Sequence, residues 1–192
     1  MWCSVHGSLI ASLLREASDD DVREGLLFGT CATLSGSHAT DVNELTTTLQ
    51  EECALCSYVV TGRRLSFYDS EGMLSHPAVS EARAKRENQA VVGWFKVKTN
   101  SILTPSIREA AVHRELARAS DLRGDSNPLV FLSLATNLNS AECTQTMDVQ
   151  CFLQPDGKLA LQPSPLHLSN LTHDSAAEHS AFRSASHRGN FW

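Results

Sequence analysis

The stretch VVGWFKVKTNSILTPSIRE at residues 91–109 decides the fold of this chain. Residues 90–98 begin as an unbroken apolar run and end in alternation, which predicts a core strand. Residues 106–119 predict a helix, because Ser106 and Glu109 have the spacing of a capping box. The centre of the predicted fold is therefore a strand, a loop and a well-capped helix.

The segments before and after this unit predict further strands and helices. Apolar runs predict strands near Ser4 and at residues 24–33, 56–60 and 129–135. Helices are predicted at residues 9–16 and 76–88. The Ser/Thr-rich residues 34–52 predict a loop or one arm of a hairpin, and residues 64–72 predict an extended piece that ends in a turn.

The last third of the chain predicts a hairpin and a tail. Residues 147–153 and 158–161 flank a Pro-Asp-Gly turn, which is typical of a hairpin. Beyond residue 171 the composition changes to Ser, Ala and His. The order of elements predicts one α/β (α+β) domain at residues 1–171 and a partly mobile tail at residues 172–192.

The composition excludes several classes of protein. Hydrophobic residues make up 42% of the 192 residues, enough for a core, and the formal net charge is -6. A mildly acidic chain with no cluster of basic residues lacks the positive charge that binds nucleic acid or an anionic membrane surface. The first residues lack the basic region of a secretory signal peptide, and no apolar run is long enough to span a membrane. We therefore expect a nuclear or cytoplasmic location, in which the six cysteines are reduced.

Residues 91–109 resemble the zinc-binding segment of MPN/JAMM proteases. In active members of that family the strand reads Gly-Trp, an aromatic residue and His-x-His-Pro, and a Ser and an Asp follow at the start of a helix. Residues two apart on a strand share one face, so both histidines hold one zinc ion together with the aspartate. The ion activates a water molecule, and a glutamate on an earlier strand is the general base.

The frame of this motif is retained here, whereas its ligands are replaced. The matching positions are structural ones: Gly25, Gly93, Trp94 and Ser106. The replaced positions are Lys96 and Lys98 for the two histidines, Thr99 for the proline, Glu109 for the aspartate and Val22 for the general base. Asp21 and Glu24 lie one and two residues out of that last frame. The resemblance therefore implies a degenerate zinc site with no catalytic residue and no cofactor.

The chemistry of lysine explains why such a site would be inactive. At neutral pH an ammonium group has no lone pair to donate, so two lysines repel a metal ion, and valine cannot relay a proton. We expect one of the lysines to pair with Glu109 where zinc would lie. Two alternatives stay open: the lysines are solvated strand residues, and Glu109 acts only in the capping box.

Within the superfamily, the chain resembles the Abraxas family (Abraxas and its close paralogue). The segments that carry the resemblance are EGLLFG (24–29), LSFYDSEG (65–72), VVGWFK (91–96), REAAVHREL (108–116) and LVFLSL (129–134). The resemblance implies an MPN fold of the JAB1/MPN/Mov34, cytidine-deaminase-like type, a β-sheet flanked by helices. The coiled coil that follows this domain in family members has no counterpart in these residues.

The family also implies a role. Its members are scaffolds that pair with the active JAMM deubiquitinase for lysine-63-linked ubiquitin chains in BRISC and BRCA-A complexes, and contact ubiquitin chains through that complex. Helices 76–88 and 106–119 are the candidate contact elements. The alternatives are an inactive MPN subunit of the proteasome lid, the signalosome or the translation-initiation complex, and an active zinc isopeptidase, which the missing histidines disfavour.

Other metal-ligand candidates are weaker. Cys53 and Cys56 form a CxxC pair with no second pair at suitable spacing, so a zinc site there is disfavoured. The histidines of the last part of the chain are too widely spaced to bind one ion from one element. We expect both groups to be structural or surface residues.

Overall fold

A computed structural model describes residues 2–16, 22–39, 45–86, 89–119, 128–139, 144–155 and 160–169. The described strands are β1 Trp2–His6, β2 Arg23–Ala39, β3 Leu45–Arg63, β4 Ala90–Thr99, β5 Val130–Asn139, β6 Thr144–Leu153, β7 Gln162–Ser164 and β8 Leu166–Ser169. The described helices are α1 Gly7–Glu16, α2 His76–Ala84 and α3 Ile107–Arg118.

The described strands form one eight-stranded sheet with the order β7-β6-β5-β4-β2-β3-β1-β8. Strand β4 pairs in parallel with β5 and in antiparallel with β2, so it lies inside the sheet. Its residues from Val91 to Lys98 are all buried. The unbroken apolar start of this strand is explained by that position, since a central strand covered on both faces has no solvent side.

The helices cover both faces of the sheet. Helix α1 buries Leu9, Ile10 and Leu13 in a core cluster with Phe95 of β4. Helices α2 and α3 pack on the opposite face in a second cluster that contains Trp94. Neighbouring residues of a strand point to opposite faces, so Trp94 and Phe95 each anchor one of the two cores.

Helix α3 follows the helical period closely. Its buried residues are Glu109, Val112, His113 and Leu116. They occupy positions i, i+3, i+4 and i+7, which lie on one side of a helix. Two of the four are polar, because this side of α3 faces both the aromatic core and the lysines of β4.

Most predicted elements are confirmed, and several boundaries differ. Strands β1, β4 and β5 and helices α1 and α3 lie where they are predicted. For residues 34–39 and 45–52 the loop alternative is wrong, because β2 and β3 pair from Arg23↔Arg63 to Ala39↔Leu45 with two register shifts near the start of β2, so the hairpin arm is confirmed there. Helix α2 ends at Ala84 rather than at residue 88.

The late hairpin has a different second strand. Strand β6 pairs with β7, whose residues follow the predicted segment 158–161. Residues 156–159 lie outside the described residues. Most of the predicted tail also lies outside them, so the boundary at residue 171 stays a prediction. None of the described helices has the length and hydropathy that crossing a membrane requires.

Candidate functional site

Two lysines point from the end of β4 toward the first turn of α3. Lys96 and Lys98 lie two residues apart and share the face of Trp94. They are only 9% and 8% exposed. A buried ammonium group is costly unless carboxylates or other acceptors surround it. The interpretation of these lysines as solvated strand residues is therefore wrong.

The ammonium group of Lys96 lies between two carboxylates. Its Nζ is 2.9 Å from Oε1 of Glu24 and 3.5 Å from Oε1 of Glu109. It also donates a hydrogen bond to the hydroxyl of Tyr68 at 3.1 Å. The ammonium is thus enclosed by one hydroxyl acceptor and by the two carboxylates with which it forms ion pairs.

Glu24 is a site residue that its sequence position did not reveal. It is fully buried and lies opposite Lys96 in the antiparallel ladder of β2 and β4. Its carboxylate also accepts hydrogen bonds from the Tyr68 hydroxyl and from the backbone N–H of Leu65, the latter at 3.0 Å. The signal that could have found it is strand periodicity, because Glu24 shares a face with Val22.

Lys98 pairs with Glu109. Its Nζ is 3.0 Å from Oε2 of Glu109 and 3.5 Å from the carbonyl oxygen of Thr104. The expected pairing of a lysine with Glu109 is therefore confirmed, and both lysines take part in it. The predicted role of these positions as a lost zinc site stays a prediction.

Glu109 also completes the capping box of α3. The Ser106 side chain accepts a hydrogen bond from the Glu109 N–H at 3.2 Å, and Glu109 Oε2 accepts one from the Ser106 N–H at 2.8 Å. The predicted capping box is thus confirmed. The helical and the ionic interpretations of Glu109 do not compete, because the carboxylate makes both sets of contacts.

These contacts determine the charge state of the cluster, defined here as Glu24, Tyr68, Lys96, Lys98 and Glu109. Burial raises the pKa of Glu109, but the Ser106 N–H and the two ammonium groups outweigh it, so the pKa lies below its usual value. Burial and the hydrogen bond to Glu24 raise the pKa of Tyr68. The cluster thus combines two basic and two acidic side chains in direct contact.

A cavity of about 760 Å³ opens beside the cluster. Val22, Arg64, Lys96, Ser106 and Glu109 are among its lining residues. Val22 thus lies at the cavity wall without joining the ion pairs. The side chains present do not fit a zinc ion, because the ligand-bearing strand offers ammonium groups and the carboxylates are already engaged by them.

The retained motif residues have structural roles. A Cβ added at Gly93 would lie 2.3 Å from the carbonyl oxygen of Val130, and one at Gly25 would lie 2.1 Å from that of Val59. Trp94 stacks on Phe131 with ring centroids 4.2 Å apart. The glycines therefore permit close approach of neighbouring strands, and the tryptophan fills the core beneath α3.

The CxxC pair does not form a site. Cys53 contacts Cys31, whereas Cys56 contacts the carbonyl oxygen of Ala54. Within the described part of the chain, no group of three or more His, Cys, Asp or Glu residues has a geometry that could hold a metal ion. Of the histidines in the last part of the chain, His167 is described, and its ring lies edge-on to Trp2.

Comparison with known proteins identifies the family. The sequence model described as the MPN domain of BRCA1-A complex subunit Abraxas 1 matches residues 4–174. BRCA1-A complex subunit Abraxas 1 of Gallus gallus is 26% identical over 92% of this chain. The protein of the same name from Salmo salar is 26% identical over 69% of this chain, and that from Rattus norvegicus is 26% identical over 84% of it. The matches span 41%, 32% and 38% of the respective relatives. The chain therefore belongs to the Abraxas MPN-domain family, and its sheet flanked by helices is the MPN fold.

Proposed function

We propose that this chain is a non-catalytic scaffold that pairs with a JAMM zinc deubiquitinase and activates it. The observation that supports the proposal is a pair of buried lysines on one face of β4, at the positions that the resemblance assigns to the metal ligands of the family's enzymes. Lys96 and Lys98 share the strand face that would present the two histidines, and both ammonium groups contact Glu109. An ion at this point would meet two positive charges within a buried space.

The carboxylates of the cluster are also unsuited to proton transfer. A general base needs an oxygen that is free to accept a proton from water. Glu24 is fully buried, its two oxygens accept from the Tyr68 hydroxyl and the Leu65 N–H, and it forms an ion pair with Lys96. Glu109 is held by Ser106 and by both lysines. Both carboxylates of the cluster are thus engaged in contacts within the fold.

The relatives suggest the assembly. They are named as subunits of the BRCA1-A complex, and we propose that this chain serves a complex of that type or a BRISC-type complex, in the nucleus or the cytoplasm. The partner is an active MPN deubiquitinase specific for lysine-63-linked chains. The match to the Abraxas model favours this assembly over those of other inactive MPN subunits.

A reconstitution experiment tests the proposal. The chain is co-expressed with the JAMM deubiquitinase of such a complex, and cleavage of lysine-63-linked and lysine-48-linked diubiquitin is measured with and without it. We expect co-purification, faster cleavage of the lysine-63-linked substrate, and no cleavage by the chain alone. Failure to co-purify together with an unchanged rate would end the scaffold proposal, and stoichiometric zinc with hydrolysis by the chain alone would restore the enzyme alternative.

Two surface variants make the test specific for the contact helices. Ile107 is 89% exposed at the start of α3, so Ile107→Asp leaves the core intact. Leu168, 56% exposed on β8 at the other end of the sheet, provides the matched control Leu168→Asp. If α3 contacts the partner, Ile107→Asp reduces co-purification and Leu168→Asp does not. Equal retention of both variants would move the interface away from α3.

A further inference from the structure

Four thiols form a row in the core that α1 covers. Cys31 of β2 lies directly opposite Cys53 of β3, and their Sγ atoms are 2.8 Å apart. Cys53 in turn lies beside Cys3 of β1, whose Sγ is 3.0 Å from that of Cys151. All four are free thiols, and the site described above uses none of them.

The first pair of this row lies at the base of a two-stranded arm. Strand β4 pairs with β2 only as far as Gly29, and β1 pairs with β3 only from Glu52 onward. Residues 32–39 and 45–51 therefore pair with each other, and no further strand among the described residues flanks them. Cys31 and Cys53 form the pair at which this arm leaves the sheet.

We propose that Cys31 and Cys53 form a reversible disulfide when the protein meets a hydroperoxide, and that this bond clamps the base of the arm. Directly opposed residues of an antiparallel ladder have Cα atoms about 4.5–5.5 Å apart, which lies within the range that a disulfide spans. Because the two sulfur atoms already touch, the bond requires side-chain adjustment and no change of register.

The reaction balances without a metal or a cofactor. The thiolate of Cys31 attacks one oxygen of the peroxide, the O–O bond breaks, and Cys31 becomes a sulfenic acid. The other oxygen leaves as alkoxide or hydroxide and takes up the proton that Cys31 released on ionisation, which gives an alcohol or water. The sulfur of Cys53 then attacks that of Cys31, and the departing hydroxide takes the Cys53 proton and leaves as water. The two sulfur atoms lose two electrons in total, and the hydroperoxide gains them.

Cys31 is the sulfur that meets the oxidant. It is only partly buried, whereas Cys3, Cys53 and Cys151 are fully buried. The side-chain hydrogen bond between Cys31 and Cys53 lowers the pKa of Cys31 against the effect of burial, which favours the reactive thiolate. The contact between Cys3 and Cys151 is almost as short, but both of these thiols are buried. This second pair therefore serves as an internal control for the effect of solvent exposure on oxidation.

Mass spectrometry of the full chain tests the proposal. The reduced protein is treated with hydrogen peroxide, the remaining thiols are alkylated in denaturant, and the protein is digested without reduction. We expect a cross-linked pair of peptides that contain Cys31 and Cys53, lighter by two hydrogen atoms and released by dithiothreitol. Cys31→Ser and Cys53→Ala should each abolish the cross-linked peptide pair. Cys56→Ser, which replaces a partly buried thiol on β3 close to Cys53, should retain it.

Hydrogen exchange tests the clamp separately. Amides in residues 32–39 and 45–51 should exchange several-fold more slowly in the oxidised protein, in the wild type and in Cys56→Ser but not in Cys31→Ser. Oxidation of Cys31 to a sulfinic acid without a cross-link, or earlier cross-linking of Cys3 to Cys151, would overturn the disulfide. A disulfide that leaves the exchange of the arm unchanged would overturn the clamp.

Discussion

Replacing Lys96 by methionine tests whether an ammonium group holds the buried cluster together. Methionine keeps the unbranched apolar stem and removes the positive charge, so the packing against Tyr68 is largely preserved. The carboxylate of Glu24 then remains fully buried, without the cation that lies 2.9 Å from it in the wild type. Glu109 keeps Lys98 at 3.0 Å, so the damage is concentrated on Glu24.

The expected loss is large because one charge stays buried. Removing one partner of a buried ion pair typically costs about 3–5 kcal/mol. For a domain of this size each kcal/mol shifts Tm by roughly 2–4 °C, so we expect a decrease in Tm of about 10 °C. The hydrogen bonds from Tyr68 and Leu65 to Glu24 keep the loss from reaching that of a bare buried carboxylate.

A double variant separates charge from packing. In Lys96→Met/Glu24→Gln both charges are gone, the glutamine carbonyl can accept from the Leu65 N–H and its amide N–H can donate to the Tyr68 oxygen, so most of the lost stability should return. A double-mutant cycle in urea should give a coupling of about 2 kcal/mol between Lys96 and Glu24. Lys85→Met is the control, because Lys85 forms an exposed ion pair with Glu81 at 3.3 Å, and its loss should change stability by about 0.5 kcal/mol or less.

Two results would refute the reasoning. One is a Lys96→Met protein as stable as the Lys85→Met control, which would mean that Glu24 does not need the ammonium group. The other is a double variant less stable than Lys96→Met, which would mean that the carboxylate is favourable without its partner. Either would also remove the main physical support for a pseudoenzyme, since Lys96 would then be replaceable at the site.

Three further predictions follow from neighbouring contacts. The pKa of Glu109 is lower in the folded state than in the unfolded state. Its contribution to stability is therefore complete above its unfolded pKa of about 4.3 and is lost as the pH falls through the lower folded value. Glu109→Gln should remove this part of the pH dependence of urea unfolding. Gly93→Ala should lower Tm strongly, because the new Cβ would lie 2.3 Å from the Val130 oxygen, whereas Gly7→Ala, with nothing within 4 Å, should not. Ser106→Ala removes the acceptor for the Glu109 N–H and should cost about 1 kcal/mol by urea unfolding, and an unchanged midpoint would show that the cap is dispensable.

The local parts of the site could be predicted from the sequence. The capping box depends on residues three apart in one helix, and the shared face of Lys96 and Lys98 depends on residues two apart in one strand. Both follow from periodicities that the chain itself carries. The contact between Lys96 and Glu24 depends instead on the register of β2 against β4, which pairs residues far apart in sequence. Strand periodicity places Glu24 on the face of Val22, but no local pattern specifies the register that brings its carboxylate to Lys96.

The hairpin arm shows the same limit. Its Ser and Thr content resembles that of a loop, yet threonine is β-branched and is well suited to a two-stranded ribbon. The choice between loop and strand is made by pairing with the opposite arm, from Thr33↔Glu51 to Ala39↔Leu45. The late hairpin differs for a related reason, because the Pro-Asp-Gly signal predicts a turn without specifying the length of chain before the next strand.

The cluster of charges explains how a fold built around a metal can be stable without one. In a zinc site the ion joins a strand to the first turn of the next helix, and its charge compensates the acidic ligand. Here Lys96 and Lys98 make that same connection, from β4 to Glu109 at the start of α3, and Lys96 extends it to Glu24 on β2. The cation is covalently attached, so it can neither dissociate nor be chelated. The connection between β4 and α3 is therefore independent of a bound metal ion, which is consistent with the scaffold role that we propose.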